Sequence, residues 1–140
     1  MIPIEEMKQQ HEEICELLSV LSLLVPDETA RKTRIVESLF SELAKKVGKH
    51  LTLEEGTLYK ELLVHDDPEI QRAARNFLSG SNELKRIFSG YMRNACLSGP
   101  KQKDCSAFVT ETEDIFNLLR QRIRIEEERF YPLAEKAQQG

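Results

Sequence analysis

Phe40-Ser41-Glu42-Leu43-Ala44-Lys45-Lys46-Val47-Gly48-Lys49-His50-Leu51-Thr52-Leu53-Glu54-Glu55-Gly56-Thr57-Leu58-Tyr59 is the stretch on which the fold turns. Leu39 or Phe40, Leu43, Val47, His50, Glu54 and Leu58 follow one another at steps of three and four, the spacing of one face of an α-helix. His50 and Glu54 fall on that same face, one turn apart. Burying an unpaired polar group costs a few kcal/mol, so two of them on an apolar stripe call for a purpose.

Outward from this segment the same period holds. Ile4, Met7, His11, Ile14, Leu18 and Leu21 form one stripe, with His11 at a core position. Ile70, Ala73, Phe77, Ser81, Leu84 and Phe88 form another. Ile115, Leu118 or Leu119, Arg122, Glu126 and Phe130 form the last, again with polar residues turned inward. No stretch longer than a few residues alternates with period two, so an all-α chain is expected. The breakers Val25-Pro26-Asp27, His65-Asp66-Asp67-Pro68 and Leu97-Ser98-Gly99-Pro100 divide it into helices over about 4–24, 28–63, 68–96 and 105–136. Asp27 can cap the second, Asp67 with Pro68 the third, and Asp104 or Ser106 the fourth. Short connections make sequential helices antiparallel, which predicts an up-down-up-down four-helix bundle. Gly80, between Ser79 and Ser81, is the weakest link of the third helix, a place where it can kink.

Composition narrows the classes. The 140 residues suit one domain spanning 1–140. Lys and Arg total 20 against 24 Asp and Glu, with the signs interleaved, which argues against a nucleic-acid platform. The longest apolar run, Leu17 to Val25, is interrupted by Ser19 and Ser22 and is far short of the ~20 residues of a membrane span. The first ten residues are acidic where a signal peptide is basic, and the three cysteines form no CxxC, so a cytoplasmic protein is expected. Cys15 is expected in the core. Cys96 and Cys105 flank a loop and should remain thiols in a reducing compartment. His65 and most of the run Glu126-Glu127-Glu128 are expected in solvent.

The chain also repeats itself. Leu53-Glu54-Glu55-Gly56-Thr57-Leu58-Tyr59 and Ile125-Glu126-Glu127-Glu128-Arg129-Phe130-Tyr131 share an apolar-Glu-Glu-x-x-apolar-Tyr pattern at an offset of 72 residues, and Ile14-x-x-Leu17-Leu18 echoes Leu84-x-x-Ile87-Phe88 at an offset of 70. Two related helical hairpins follow. Tyr59 and Tyr131, equivalent by the repeat, are expected at the bundle ends with hydroxyls outward.

His11, His50, Glu54 and Glu126 together make a candidate metal site, since imidazole nitrogen and carboxylate oxygen suit iron, manganese or zinc. The Glu-x-x-His of ferritin-type bundles is absent before both histidines. Met7-Lys8-Gln9-Gln10-His11-Glu12-Glu13-Ile14, His50-x-x-x-Glu54-Glu55-x-x-Leu58-Tyr59 and Glu126-Glu127-Glu128-Arg129-Phe130-Tyr131-Pro132 resemble the hemerythrin-like, or HHE cation-binding, family along essentially the whole chain. The resemblance implies a four-helix bundle with non-haem iron. It also implies further histidines where this chain has Ser81 and Arg122, with Lys85 one turn beyond Ser81. The four remaining donors suit one ion; a bridged pair would need water or Glu12, Glu55 or Glu127. Two functions follow. One is a mono- or dinuclear iron protein, or one holding another divalent metal, for metal, oxygen or redox sensing or storage. The other is a metal-free scaffold, in which Arg122 neutralises Glu126 and Glu54, that regulates a protein partner or self-associates. Activation of oxygen or peroxide is a third option that no residue specifically supports.

Overall fold

A computed structural model describes residues 2–95 and 107–139 of the chain. Its elements are α1 (Ile4–Leu24), α2 (Glu28–Arg31), α3 (Arg34–Gly56), α4 (Leu58–Leu62), α5 (Pro68–Arg93), α6 (Phe108–Ile125), a π-helical segment (Glu126–Phe130) and α7 (Tyr131–Gln139). The described residues contain no strand.

Local chemistry explains where the helices agree with expectation and where they divide. The first helix has the expected bounds. The expected second helix is three pieces. Asp27 caps α2 by accepting from the Ala30 N–H, and Thr33 then caps a new start by accepting from the Val36 N–H at 3.3 Å. At the other end Gly56 is followed by Thr57, whose hydroxyl donates to the Leu53 carbonyl at 2.6 Å, and the helix breaks there before α4 begins. Asp67 and Pro68 start α5 as expected, and Asn94 closes it. The caps expected at Asp104 and Ser106, and the pair Cys96 and Cys105, lie outside the described residues.

α5 runs through Gly80 without interruption. The role of Gly80 is clearance: a Cβ added there would meet Arg122 Nη1 at 2.9 Å. The guanidinium of Arg122 crosses α5 at this point, donates to the Phe77 carbonyl at 2.9 Å and lies over the Phe77 ring.

α1 packs on α3 and α6, and α5 packs on α6. Contacts of His11 with His50 and of Glu13 with Lys46 run in opposite chain order, so α1 and α3 are antiparallel. Phe77 with Arg122 and Tyr91 with Thr112 establish the same for α5 and α6. The stripes face inward as read, with Phe40, Leu119 and Ala74 taking the deepest places over Leu39, Leu118 and Ala73.

The interior has two apolar clusters. One gathers Ile14, Leu18, Phe40, Val47, Leu84, Phe88 and Phe116; the other gathers Met7, Leu58, Tyr59, Phe130, Tyr131 and Ala134. His11 falls between Met7 and Ile14 along α1, and His50 with Glu54 between Val47 and Leu58. Glu126 falls between Leu119 and Phe130. A buried polar layer therefore separates two apolar halves.

The glycines provide a test. Gly48 faces open space in mid-helix, so Gly48→Ala should stabilise by about 0.5–1 kcal/mol in urea unfolding. Gly80→Ala has the same propensity gain but displaces a guanidinium held by hydrogen bonds, and a net loss of about 1–2 kcal/mol is expected. Equal gains at both positions would show that Gly80 does not serve Arg122.

Candidate metal centre

α1 brings His11 to the centre of the layer, α3 brings His50 and Glu54 from successive turns, and the first residue of the π-helical segment brings Glu126. All four are 5% exposed or less. One ligand-type atom from each lies within 4.8 Å of the others. His11 Nε2 is 2.8 Å from Glu126 Oε1 and 3.1 Å from His50 Nε2. His50 Nε2 is 3.2 Å from Glu54 Oε2 and 3.3 Å from Glu126 Oε1.

The outer nitrogens are engaged elsewhere, which fixes what faces inward. His11 Nδ1 is 2.6 Å from Glu127 Oε2, and a carboxylate only accepts, so that nitrogen carries the hydrogen. His50 Nδ1 likewise donates to Gln10 Oε1 at 2.7 Å. Each neutral imidazole then aims a bare Nε2 lone pair at the cluster, the arrangement that outer partners impose on metal-binding histidines. Two such lone pairs at 3.1 Å beside two carboxylates need a positive charge among them.

In the metal-free protein a proton supplies it. Burial pulls the His50 pKa down, but hydrogen bonds that the imidazolium donates to Glu126 and Glu54 outweigh it and raise the value to about 9. Burial pushes Glu54 up. Burial acts the same way on Glu126 but is overcome by His11, His50 and Arg122, which hold its pKa well below the usual carboxylate range.

The donor set fits one metal ion. With bonds of about 2.0–2.2 Å, neighbouring ligand atoms around one ion lie roughly 2.9–3.4 Å apart, close to the spacings seen here. Glu54 Oε1 is buried without a hydrogen-bond partner, a spare lone pair facing no protein donor. Nitrogen and carboxylate donors together match iron, manganese or zinc.

Several residues differ from expectation. Tyr59 and Tyr131 are buried, at 2% and 0% exposure, and do not point outward. Tyr131 Oη donates to Glu54 Oε2 at 2.9 Å, inside the cluster, while Tyr59 Oη accepts from Arg122 Nη2 at 2.9 Å. Burial, with Glu126 and Glu54, holds the Tyr131 hydroxyl far above the ordinary tyrosine range. The cause of the Tyr131 placement is the π-helical segment, in which the Tyr131 N–H bonds the Glu126 carbonyl five residues back. The wider turn carries one extra residue and rotates everything beyond it, so Glu126 and Tyr131 share the inner face. Glu127 is half-exposed yet serves His11 and is not merely solvated. Arg122 pairs with Glu126 Oε2 at 3.1 Å but its other bonds go to Tyr59 and Phe77, not to Glu54. Lys85 pairs at the surface with Glu55 and does not face the layer. Ser81 does point inward, and its hydroxyl has no partner. Cys15 is half-buried, not fully in the core. His65 is half-buried too, set against the Ala137 carbonyl.

A helical chain with imidazoles and carboxylates converging in its buried polar layer has a set of side chains able to hold a cation. Comparison with protein families agrees: residues 2–134 match the family described as hemerythrin HHE cation binding domain, and the chain belongs to that family. No curated protein and no solved structure matches it. The family and the buried cluster together support metal binding.

The titration of His50 has a measurable consequence. Its folded pKa lies above the unfolded value of 6.5, so its contribution is complete below about pH 6.5 and is lost as pH rises through about 9. Chelator-treated protein should lose stability on the order of 3 kcal/mol across that window in urea titrations. His50→Gln should flatten the profile. An equally steep profile in that variant would remove His50 as the proton's holder.

Proposed function

We propose that this chain is a one-domain, cytoplasmic non-haem metal protein that holds a single ion, iron in this reading, through His11, His50, Glu54 and Glu126. Its role is metal, oxygen or redox sensing or storage. The observation that carries the proposal is the pair of imidazoles whose outer nitrogens are engaged by Glu127 and Gln10, leaving both inner lone pairs directed at two buried carboxylates. Bound iron would supply one-electron chemistry at this point. The protein supplies the rest: Glu127 and Gln10 orient the imidazoles, Arg122 and Tyr131 orient the carboxylates, and the two apolar clusters keep bulk water out.

Arg122 supports one ion over two. By the repeat it stands where His50 stands in the other half, and its guanidinium is bound to Glu126, Tyr59 and Phe77. The same ion pair supports a second reading, a metal-free scaffold that works through a partner protein or a second copy, because Arg122 already places one positive charge at the layer.

Loading with ferrous iron under anaerobic conditions separates these readings. About one ion per chain should survive gel filtration, and a hundredfold excess over the dissociation constant should stabilise the fold by roughly 3 kcal/mol. Retention should vanish in His50→Ala plus Glu54→Ala. Wild-type protein that keeps no ion, with a melting temperature indifferent to iron and chelator, would establish the metal-free reading.

A further inference from the structure

The Tyr131 hydroxyl has more close neighbours than its chemistry can satisfy. It carries one hydrogen, and that hydrogen goes to Glu54 Oε2 at 2.9 Å. The same oxygen lies 3.2 Å from His11 Nε2, 3.4 Å from His50 Nε2 and 3.2 Å from Glu126 Oε1. It thus touches one donor-type atom from every candidate ligand, at the separations these atoms keep from one another. Its ring is fully buried and lies parallel to the His11 ring, with centroids 5.4 Å apart, so the oxygen is held in place and no bulk water competes for it.

We propose that the phenolic oxygen of Tyr131 is a fifth donor of the metal centre, a hard anionic oxygen that matches the site to ferric iron. The inference rests on the metal-binding reading above and adds an oxidation-state preference to it. Two carboxylates balance a divalent ion. Two carboxylates and a phenolate balance a trivalent one, while Arg122 and Glu127 at the rim offset each other. Ferric iron bound to this oxygen displaces its proton, which passes to solvent. A trivalent charge at bonding distance reverses the local field that otherwise keeps that proton in place. Tyr59, the counterpart in the first half of the chain, is not available for the same role, because Arg122 occupies its oxygen.

A phenolate on ferric iron absorbs visible light by charge transfer to the metal, which the other four donors do not produce. Protein loaded from ferric citrate should be coloured and should show resonance-enhanced phenolate ring modes. In Tyr131→Phe, whatever iron the remaining donors hold should lack the visible band. The chain has three tyrosines, so Tyr59→Phe plus Tyr91→Phe leaves Tyr131 as the only one, and this double variant should keep the band. It also carries the test if Tyr131→Phe fails to fold. Colourless wild-type protein that retains its iron, or a band that persists in Tyr131→Phe, would overturn the tyrosine assignment and leave metal binding intact. Wild-type protein that retains no ferric or ferrous iron would overturn both.

Discussion

Two imidazole lone pairs and two carboxylates directed at one point inside an apolar bundle repel one another, and a positive charge among them is the condition on which the rest of the interior depends. The outer hydrogen bonds are what create the condition. Glu127 and Gln10 hold the Nδ1 hydrogens, so neither ring can turn its donor side inward to relieve the crowding. Glu126 is steadied by Arg122 and Glu54 by Tyr131, leaving one carboxylate oxygen of Glu54 with no partner. A proton on His50 satisfies the arrangement minimally. A metal ion satisfies it with every inner donor engaged.

The second half of the repeat answers the same electrostatic demand with a side chain. Arg122 lies where an imidazole stands in the first half, and its planar fork reaches a carboxylate, a phenol and a backbone carbonyl together. That reach needs an unobstructed path across α5, and Gly80 leaves it open. A residue that looks like a weak point in a helix is therefore part of the polar layer's support. The two hairpins share a pattern and divide the work unequally: the first contributes His11, His50 and Glu54 to the cluster, and the second contributes Glu126 together with a fixed internal cation.

Much of this was legible in the sequence, because the three-and-four periodicity and the burial cost of polar groups act on every helix alike. Those two rules placed His11, His50, Glu54 and Glu126 inward together and put Ser81 and Arg122 beside them. They also placed the first and third of the expected helices within a few residues of α1 and α5. The misses have local causes. Thr33 and Thr57 act through side-chain hydrogen bonds that interrupt a helix whose apolar pattern runs on regardless. The repeat pairs Tyr131 with Tyr59 and a phenol's polar tip favours the bundle ends, so both hydroxyls read as outward, whereas both rings are buried. The sequence carries no mark against that: Ala134 and Ala137 follow Phe130 at steps of four and three, and the widened turn that brings Tyr131 to the inner face beside Glu126 leaves no signature in the apolar pattern. Glu127 was hidden for a different reason. A half-exposed acid in an acidic run carries no mark of the imidazole it serves.

The polar layer between two apolar halves also bears on how the helices find their alignment. Apolar side chains are interchangeable enough that a bundle held by them alone tolerates sliding by a turn, trading one leucine contact for another. Moving α1 one turn along α3 and α6 would instead separate His11 from Glu126 and Glu127 and leave the buried imidazole facing hydrocarbon side chains. The charged centre thus acts as a vernier mark: it distinguishes one axial setting of the helices from neighbouring settings that the greasy contacts alone would rank as nearly equal.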